Sequence, residues 1–131
     1  MEKKNLDWKH IGFAYHTTDY RYVADYKDGK WQEGYMSDSP NIVLNECAGI
    51  MQYCQEVFEG LKAYETADGR IVTFRSDLNA DRMYHSAERM EMPPFPKERF
   101  IEAVEKVVKA NEAWVPPYGS GATLYLRPYM Y

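Results

Sequence analysis

The chain has 131 residues, long enough for one domain with a core and too short for two of usual size. A hydrophobic content of 45% and a charged content of 27% exclude a disordered chain, and a net charge of -4 gives no electrostatic case for nucleic acid. Aromatic residues reach 15%, and Tyr alone accounts for 12 residues, a share that suits a pocket or an interface as well as a core.

The start, Met1-Glu2-Lys3-Lys4-Asn5, is polar with no apolar run behind it. No secretory signal or membrane span is expected, and a soluble, cytoplasmic protein is the default. Residues 1–11 read as irregular, Gly12 to Thr17 as short and aromatic-rich, and Thr18-Asp19 as a turn. Tyr20, Tyr22, Ala24 and Tyr26 then alternate with Arg21, Val23, Asp25 and Lys27, which predicts a strand with one tyrosine-lined face. Asp28-Gly29 is a hairpin signal, and Lys30 to Tyr35 returns as the partner strand.

Ser37 to Pro40 reads as a loop and Asn41 to Leu44 as a short strand. Over Gly49 to Val57, Ile50, Tyr53, Cys54 and Val57 fit one helical face, so a turn or two of helix is expected. Cys47 and Cys54 make no disulfide framework and fit no common zinc spacing; buried, inert free thiols are expected.

The stretch from Phe58-Glu59-Gly60-Leu61-Lys62-Ala63-Tyr64 through Asp68-Gly69-Arg70 to Ile71-Val72-Thr73-Phe74-Arg75 reads as a second hairpin ending on an arginine. Two hairpins with the same turn dipeptide suggest an antiparallel meander. Ser76 or Asp77 is placed to cap a helix whose stripe is Leu78, Met83, Ala87 and Met90, running through Met92 until Pro93-Pro94 stops it. Lys97 to Trp114 is the clearest helix, with Phe100, Ala103, Val104, Val107, Val108 and Asn111 on one face. Glu102–Lys106 and Glu105–Lys109 are i,i+4 pairs in the favoured order. Residues 116–121 form a Pro/Gly loop, and Ala122 to Leu126 reads as a strand before Arg127-Pro128 and Tyr129-Met130-Tyr131. This apolar ending has no cover in the sequence. The expectation is that the polypeptide continues past Tyr131 or that a partner subunit covers the edge.

The chemistry on offer is limited. His10, His16 and His85 are scattered without metal spacing, and neither a Gly-x-Ser-x-Gly elbow nor a phosphate-binding glycine loop appears. Glu59 is the only carboxylate inside an apolar motif. Arg75 and Arg127 stand at strand-like positions among many aromatic residues, a combination that suits an anionic ligand with an apolar part. Arg75 is either an anion ligand or a surface arginine paired with a carboxylate. Lys62 would form a Schiff base only if desolvated in a pocket, and the alternation with Leu61 instead turns it toward solvent.

Five motifs in order carry a resemblance. They are Phe58-Glu59-Gly60-Leu61-Lys62-Ala63-Tyr64, the Phe74-Arg75 strand end, and Asn79-Ala80-x-Arg82-Met83-x-x-Ser86-Ala87, followed by Trp114-Val115-Pro116-Pro117 and Leu124-Tyr125-Leu126-Arg127-Pro128. Together they resemble the branched-chain amino acid aminotransferases, fold-type IV enzymes that use pyridoxal phosphate. The resemblance runs from about Gly12 to Tyr131. It implies an α+β fold, a two-layer arrangement of mainly antiparallel sheet and two packed helices, as the N-terminal small domain over residues 1–131. It also implies a cytoplasmic or organellar homodimer with its active site between two domains.

Carried over by position, Arg75 would bind the cofactor phosphate. Phe13, Tyr53, Phe58 and Tyr125 would line the pocket for the branched side chain, with Tyr53 reaching the neighbouring subunit's site. Arg127, beside Tyr125, would recognise the distal carboxylate of glutamate. The substrates implied are branched-chain amino acids and 2-oxo acids. The family's Schiff-base lysine and the acidic partner of the pyridine nitrogen belong to a C-terminal domain outside this sequence, and Lys62 does not match that lysine. The chain by itself is therefore expected to be inactive. A D-amino acid aminotransferase or an aminodeoxychorismate lyase of the same fold type, and a non-catalytic module binding an anionic ligand or partner, remain the alternatives.

Overall fold

The structure, a computed structural model, describes residues 2–131. Asp28 and Gly29 both take positive φ (53° and 75°), as a two-residue hairpin turn that matches strand twist requires. The turn joins β2 (Tyr26–Lys27) to β3 (Lys30–Trp31). The same hairpin continues as β1 (Arg21–Val23) against β4 (Tyr35–Ser37). The register slips by one residue between the two ladders, so the second arm carries a bulge where Gly34 lies under the Tyr22 ring. The expected strands are thus one interrupted hairpin. It pairs with no strand of the second hairpin, so the expected meander is not formed.

The Asn41 to Leu44 strand is also absent: Pro40 offers no N–H, no strand lies alongside, and Val43 is fully exposed. Instead Arg21 donates to the carbonyls of Ser39 and Asn41 and holds this loop. Helix α1 (Gly49–Tyr53) is the turn or two of helix expected. Cys54 takes a left-handed φ of 53° and ends it, and Val57 leaves the helical face to begin a strand. Both cysteines are exposed free thiols, contrary to the buried ones expected.

The second sheet is the scaffold. Its order is β7-β6-β8, with β6 (Leu61–Glu65) central, β7 (Ile71–Thr73) on one edge and β8 (Leu124–Leu126) on the other, all antiparallel. β5 (Val57–Phe58) pairs with β9 (Tyr129–Met130). Leu61 and Ala63 face inward while Lys62 and Tyr64 face out, the alternation expected of a half-buried strand.

Two helices cover the inner face. α2 (Ser76–Arg89) buries Asn79, Ala80, Met83 and Ala87, a stripe shifted from the expected one because Leu78 and Met90 turn to solvent. No side chain caps its start. Its end precedes the prolines: Glu91 is left-handed (φ 54°), and Met92 N–H donates to Ala87 C=O at 2.9 Å and Glu91 N–H to Glu88 C=O at 3.1 Å. α3 (Lys97–Ala110) buries Phe100, Val104 and Val108 as expected, and Lys106 pairs with Glu102 at 2.6 Å. It stops at Ala110 rather than Trp114 because the fully buried Asn111 side chain donates to Val107 C=O and Tyr20 C=O and accepts from Tyr20 N–H. A 3-10 turn, Glu112–Trp114, follows. The result is the expected α+β arrangement, a mainly antiparallel sheet under two packed helices, with its core between them.

Candidate functional site

The site begins where a ladder loses its rungs. Val57 pairs with Met130 and Phe58 with Tyr129, while Leu61 pairs with Leu126; both sets share one register. Glu59-Gly60 and Arg127-Pro128 interrupt it. Pro128 has no N–H to give, and the strands stay joined there by Glu59 N–H donating to Pro128 C=O at 2.8 Å. Gly60 leaves room for a neighbour's ring: a Cβ at that position would lie 2.4 Å from the Tyr125 hydroxyl oxygen.

That room lets three expected site residues meet. Arg127 Nε donates to the Tyr125 hydroxyl at 3.0 Å. The Arg127 guanidinium lies 4.5 Å from the centre of the Phe58 ring and 5.3 Å from that of Tyr125. All three side chains face solvent. A flat cation held between two rings offers hydrogen bonds to a carboxylate beside an apolar wall. Lys62 stands opposite Tyr125 in the ladder, exposed on the outer sheet face.

Beneath the break lies a polar network that the motifs alone did not single out. Glu59 is only 4% exposed. It accepts from Arg82 Nε at 2.7 Å and Nη2 at 2.6 Å, and from Asn79 Nδ2 at 2.9 Å; Asn79 also donates to Gly60 C=O at 3.2 Å. Burial pushes the Glu59 carboxyl up, but the hydrogen bonds from Arg82 and Asn79 outweigh it and hold the group below the ordinary carboxylate range. The same pair raises Arg82. A buried charge must have such partners, which was the signal available in the sequence: Glu59 inside an apolar strand demands a cation and a donor nearby.

Arg75 sits at the entry to α2 in a left-handed conformation, φ 49°. Its fork is engaged by Asp77, with Nε at 2.9 Å from Oδ1 and Nη2 at 2.7 Å from Oδ2. Both side chains are about half exposed. The Arg75 hydrogen bonds hold the Asp77 carboxyl below its ordinary range. The pairing with a carboxylate is therefore present. Arg82 lies two turns further along α2, in a shallow surface depression shared with His85, Ser86 and Arg89. The Arg82 side chain is 65% exposed although its carboxylate partner is buried.

Two expected residues stand apart. Phe13 is fully exposed in the irregular N-terminal segment, and Tyr53 projects 84% exposed from the end of α1. Among the described residues no ring contact or hydrogen bond joins either one to the Phe58–Tyr125–Arg127 cluster.

The chain is similar to the branched-chain-amino-acid aminotransferases along nearly its whole length. One such enzyme from Haemophilus influenzae is 50% identical over 127 residues, covering 97% of this chain and 37% of that protein. The branched-chain-amino-acid aminotransferase of Helicobacter pylori is 45% identical over 127 residues, with the same coverage of 97% and 37%. A methionine aminotransferase of Arabidopsis thaliana is 43% identical over 128 residues, covering 97% of this chain and 36% of that protein. The chain thus spans a little over a third of these relatives' length. No family model matches it. The aminotransferase relatives agree with the resemblance drawn from the five motifs. No helix among the described residues is long and apolar enough to cross a membrane.

Proposed function

We propose that this chain is the N-terminal small domain of a pyridoxal-phosphate-dependent transaminase that moves the amino group between leucine, isoleucine or valine and 2-oxoglutarate. The observation that carries this reading is the Phe58–Tyr125–Arg127 cluster, where one wall offers apolar rings and a cation together. A transaminase of this kind must take an aliphatic side chain and a carboxylate in turn at one place. The rings of Phe58 and Tyr125 exclude water from the aliphatic chain. Arg127, tied to the Tyr125 hydroxyl, meets the distal carboxylate of glutamate at the rim. Phe13 and Tyr53, which stand apart from this wall within the chain, would complete it only in the assembled homodimer, Tyr53 from the other subunit. The localisation this reading implies is cytoplasmic.

Pyridoxal phosphate, when bound, supplies the electron sink for the carbanion at the substrate Cα. The donors on this chain suit its phosphate. Arg75, at the start of α2, is the arginine for that phosphate: its fork is held only by the half-exposed Asp77, a screened surface contact that an incoming phosphate can replace. Arg82 is a second arginine on the same helix, but its fork is already committed. Buried Glu59 takes both Nε and Nη2, so Arg82 holds α2 to the ladder break instead. Lys62, exposed opposite Tyr125, takes no part in this assignment. The lysine that bonds the cofactor comes from outside these residues.

The relative named as a methionine aminotransferase supports a second reading of the same wall, in which a linear thioether side chain replaces the branched one. A coupled assay on the full-length gene product, loaded with pyridoxal phosphate, tests both. Glutamate should form from leucine and 2-oxoglutarate, and the 131-residue chain should give none. Preference for methionine would shift the substrate. Preference for a D-amino acid, or full activity in the 131-residue chain, would overturn the proposal.

A further inference from the structure

Each member of the Phe58–Tyr125–Arg127 wall is tied to Glu59 through the main chain. The Glu59 N–H donates to Pro128 C=O at 2.8 Å, which fixes the chain next to Arg127. Its carboxylate accepts from Asn79 Nδ2, and the same Asn79 amide donates to Gly60 C=O at 3.2 Å. The Tyr125 phenol lies where a Gly60 side chain would be, so the place of Gly60 sets how closely that ring approaches. Phe58 directly precedes Glu59 and puts its ring 4.5 Å from the Arg127 guanidinium. Glu59 thus stands between Phe58 and Gly60 in sequence, while its buried carboxylate turns to α2.

At 4% and 9% exposure, Glu59 and Asn79 are too buried to touch a ligand on the outer face. Neither carboxylate oxygen is free. Oε1 accepts from Arg82 Nε, and Oε2 accepts from both Arg82 Nη2 and Asn79 Nδ2. A glutamine of the same shape cannot copy this, because its amide nitrogen, at either place, sets a donor against a donor. The two kinds of substrate group depend on such positioning unequally. A hydrogen bond to a carboxylate weakens steeply as its angle departs from linear. Apolar burial is non-directional and follows area. We propose that Glu59, together with Asn79, is a positioning residue for substrate choice: it fixes the wall so that Arg127 can take a distal carboxylate, and an aliphatic chain needs it far less. The inference rests on the transaminase reading of the wall.

Two probes binding to the full-length gene product, loaded with pyridoxal phosphate, test this by calorimetry. Glutarate carries the distal carboxylate, and 4-methylpentanoate carries the leucine side chain in its place. Glu59→Gln should weaken glutarate at least roughly tenfold, the value of one charge-assisted contact, and 4-methylpentanoate by less than about threefold. Asn79→Ala keeps the Arg82 pair and serves if Glu59→Gln does not fold; it should weaken glutarate roughly threefold and leave 4-methylpentanoate unchanged. Equal losses of both probes in folded variants would make the network a structural fastening only and overturn the proposal, as would no loss of either. A parent protein that binds neither probe would sink the transaminase reading and this inference with it.

Discussion

Helix α2 carries two arginine–carboxylate pairs of nearly the same geometry. Arg75 gives Nε and Nη2 to Asp77, and Arg82 gives Nε and Nη2 to Glu59. What differs is what lies behind each carboxylate. Asp77 is two residues from its partner and half exposed. Glu59 is buried, lies in the ladder break 23 residues away, and is bonded through its own N–H to Pro128. The first pair is a local surface contact that water and salt can replace. The second fastens α2 to the ladder break on which Phe58 and Arg127 stand. The same two hydrogen bonds therefore have different consequences, set by burial and sequence separation.

Arg82→Ala should be the most damaging change. It leaves a buried carboxylate without its cation, at a cost of about 2–3 kcal/mol, less than a fully buried pair because the arginine end is in solvent. Urea unfolding measures this, and a loss well under about 1 kcal/mol would mean that the Glu59 charge is solvated by other means. Asn79→Ala should cost about 1–2 kcal/mol, since it removes a donor to Glu59 and to Gly60 C=O together.

Acid sharpens the contrast further. The Glu59 carboxyl titrates below its ordinary range in the folded chain, so its contribution to stability is fully present at neutral pH and falls away as pH drops through that lowered value. The stability gap between the parent chain and Arg82→Ala should narrow over the same acidic window. A gap that stays constant down to about pH 2 would remove the ionised pair from the account. Arg75→Ala should have the smallest effect on stability, because its partner is a screened surface group; unfolding midpoints should coincide, and a clear shift would show that Arg75 has a structural role in starting α2.

The legible parts of the fold were those with local causes. Asp28-Gly29 adopts the two positive φ values its chemistry permits, and the stripe Phe100, Val104, Val108 faces the core as its spacing predicts. The illegible parts depend on distant partners. Asn111 ends α3 by bonding to Tyr20, 91 residues earlier in the chain. Ile42-Val43-Leu44 has a strand's composition, but no strand pairs with it. Of the expected site, Phe58, Tyr125 and Arg127 come together because one register runs through the ladder break, which the motifs alone do not reveal. Arg82 was inside a recognised motif. Only the burial of Glu59, a long-range property, marks it as the better-held arginine.

The most direct test of this contrast is cofactor retention in the full-length gene product. Pyridoxal phosphate dissociation would be measured side by side for Arg75→Ala and Arg82→Ala, with circular dichroism confirming that both remain folded. The account predicts that Arg75→Ala weakens retention by roughly 10- to 100-fold, the value of one charge-assisted contact, while Arg82→Ala, whose fork serves Glu59, lowers stability and changes retention little. A large loss in Arg82→Ala with Arg75→Ala unaffected would contradict it, and would move the phosphate away from the entry to α2.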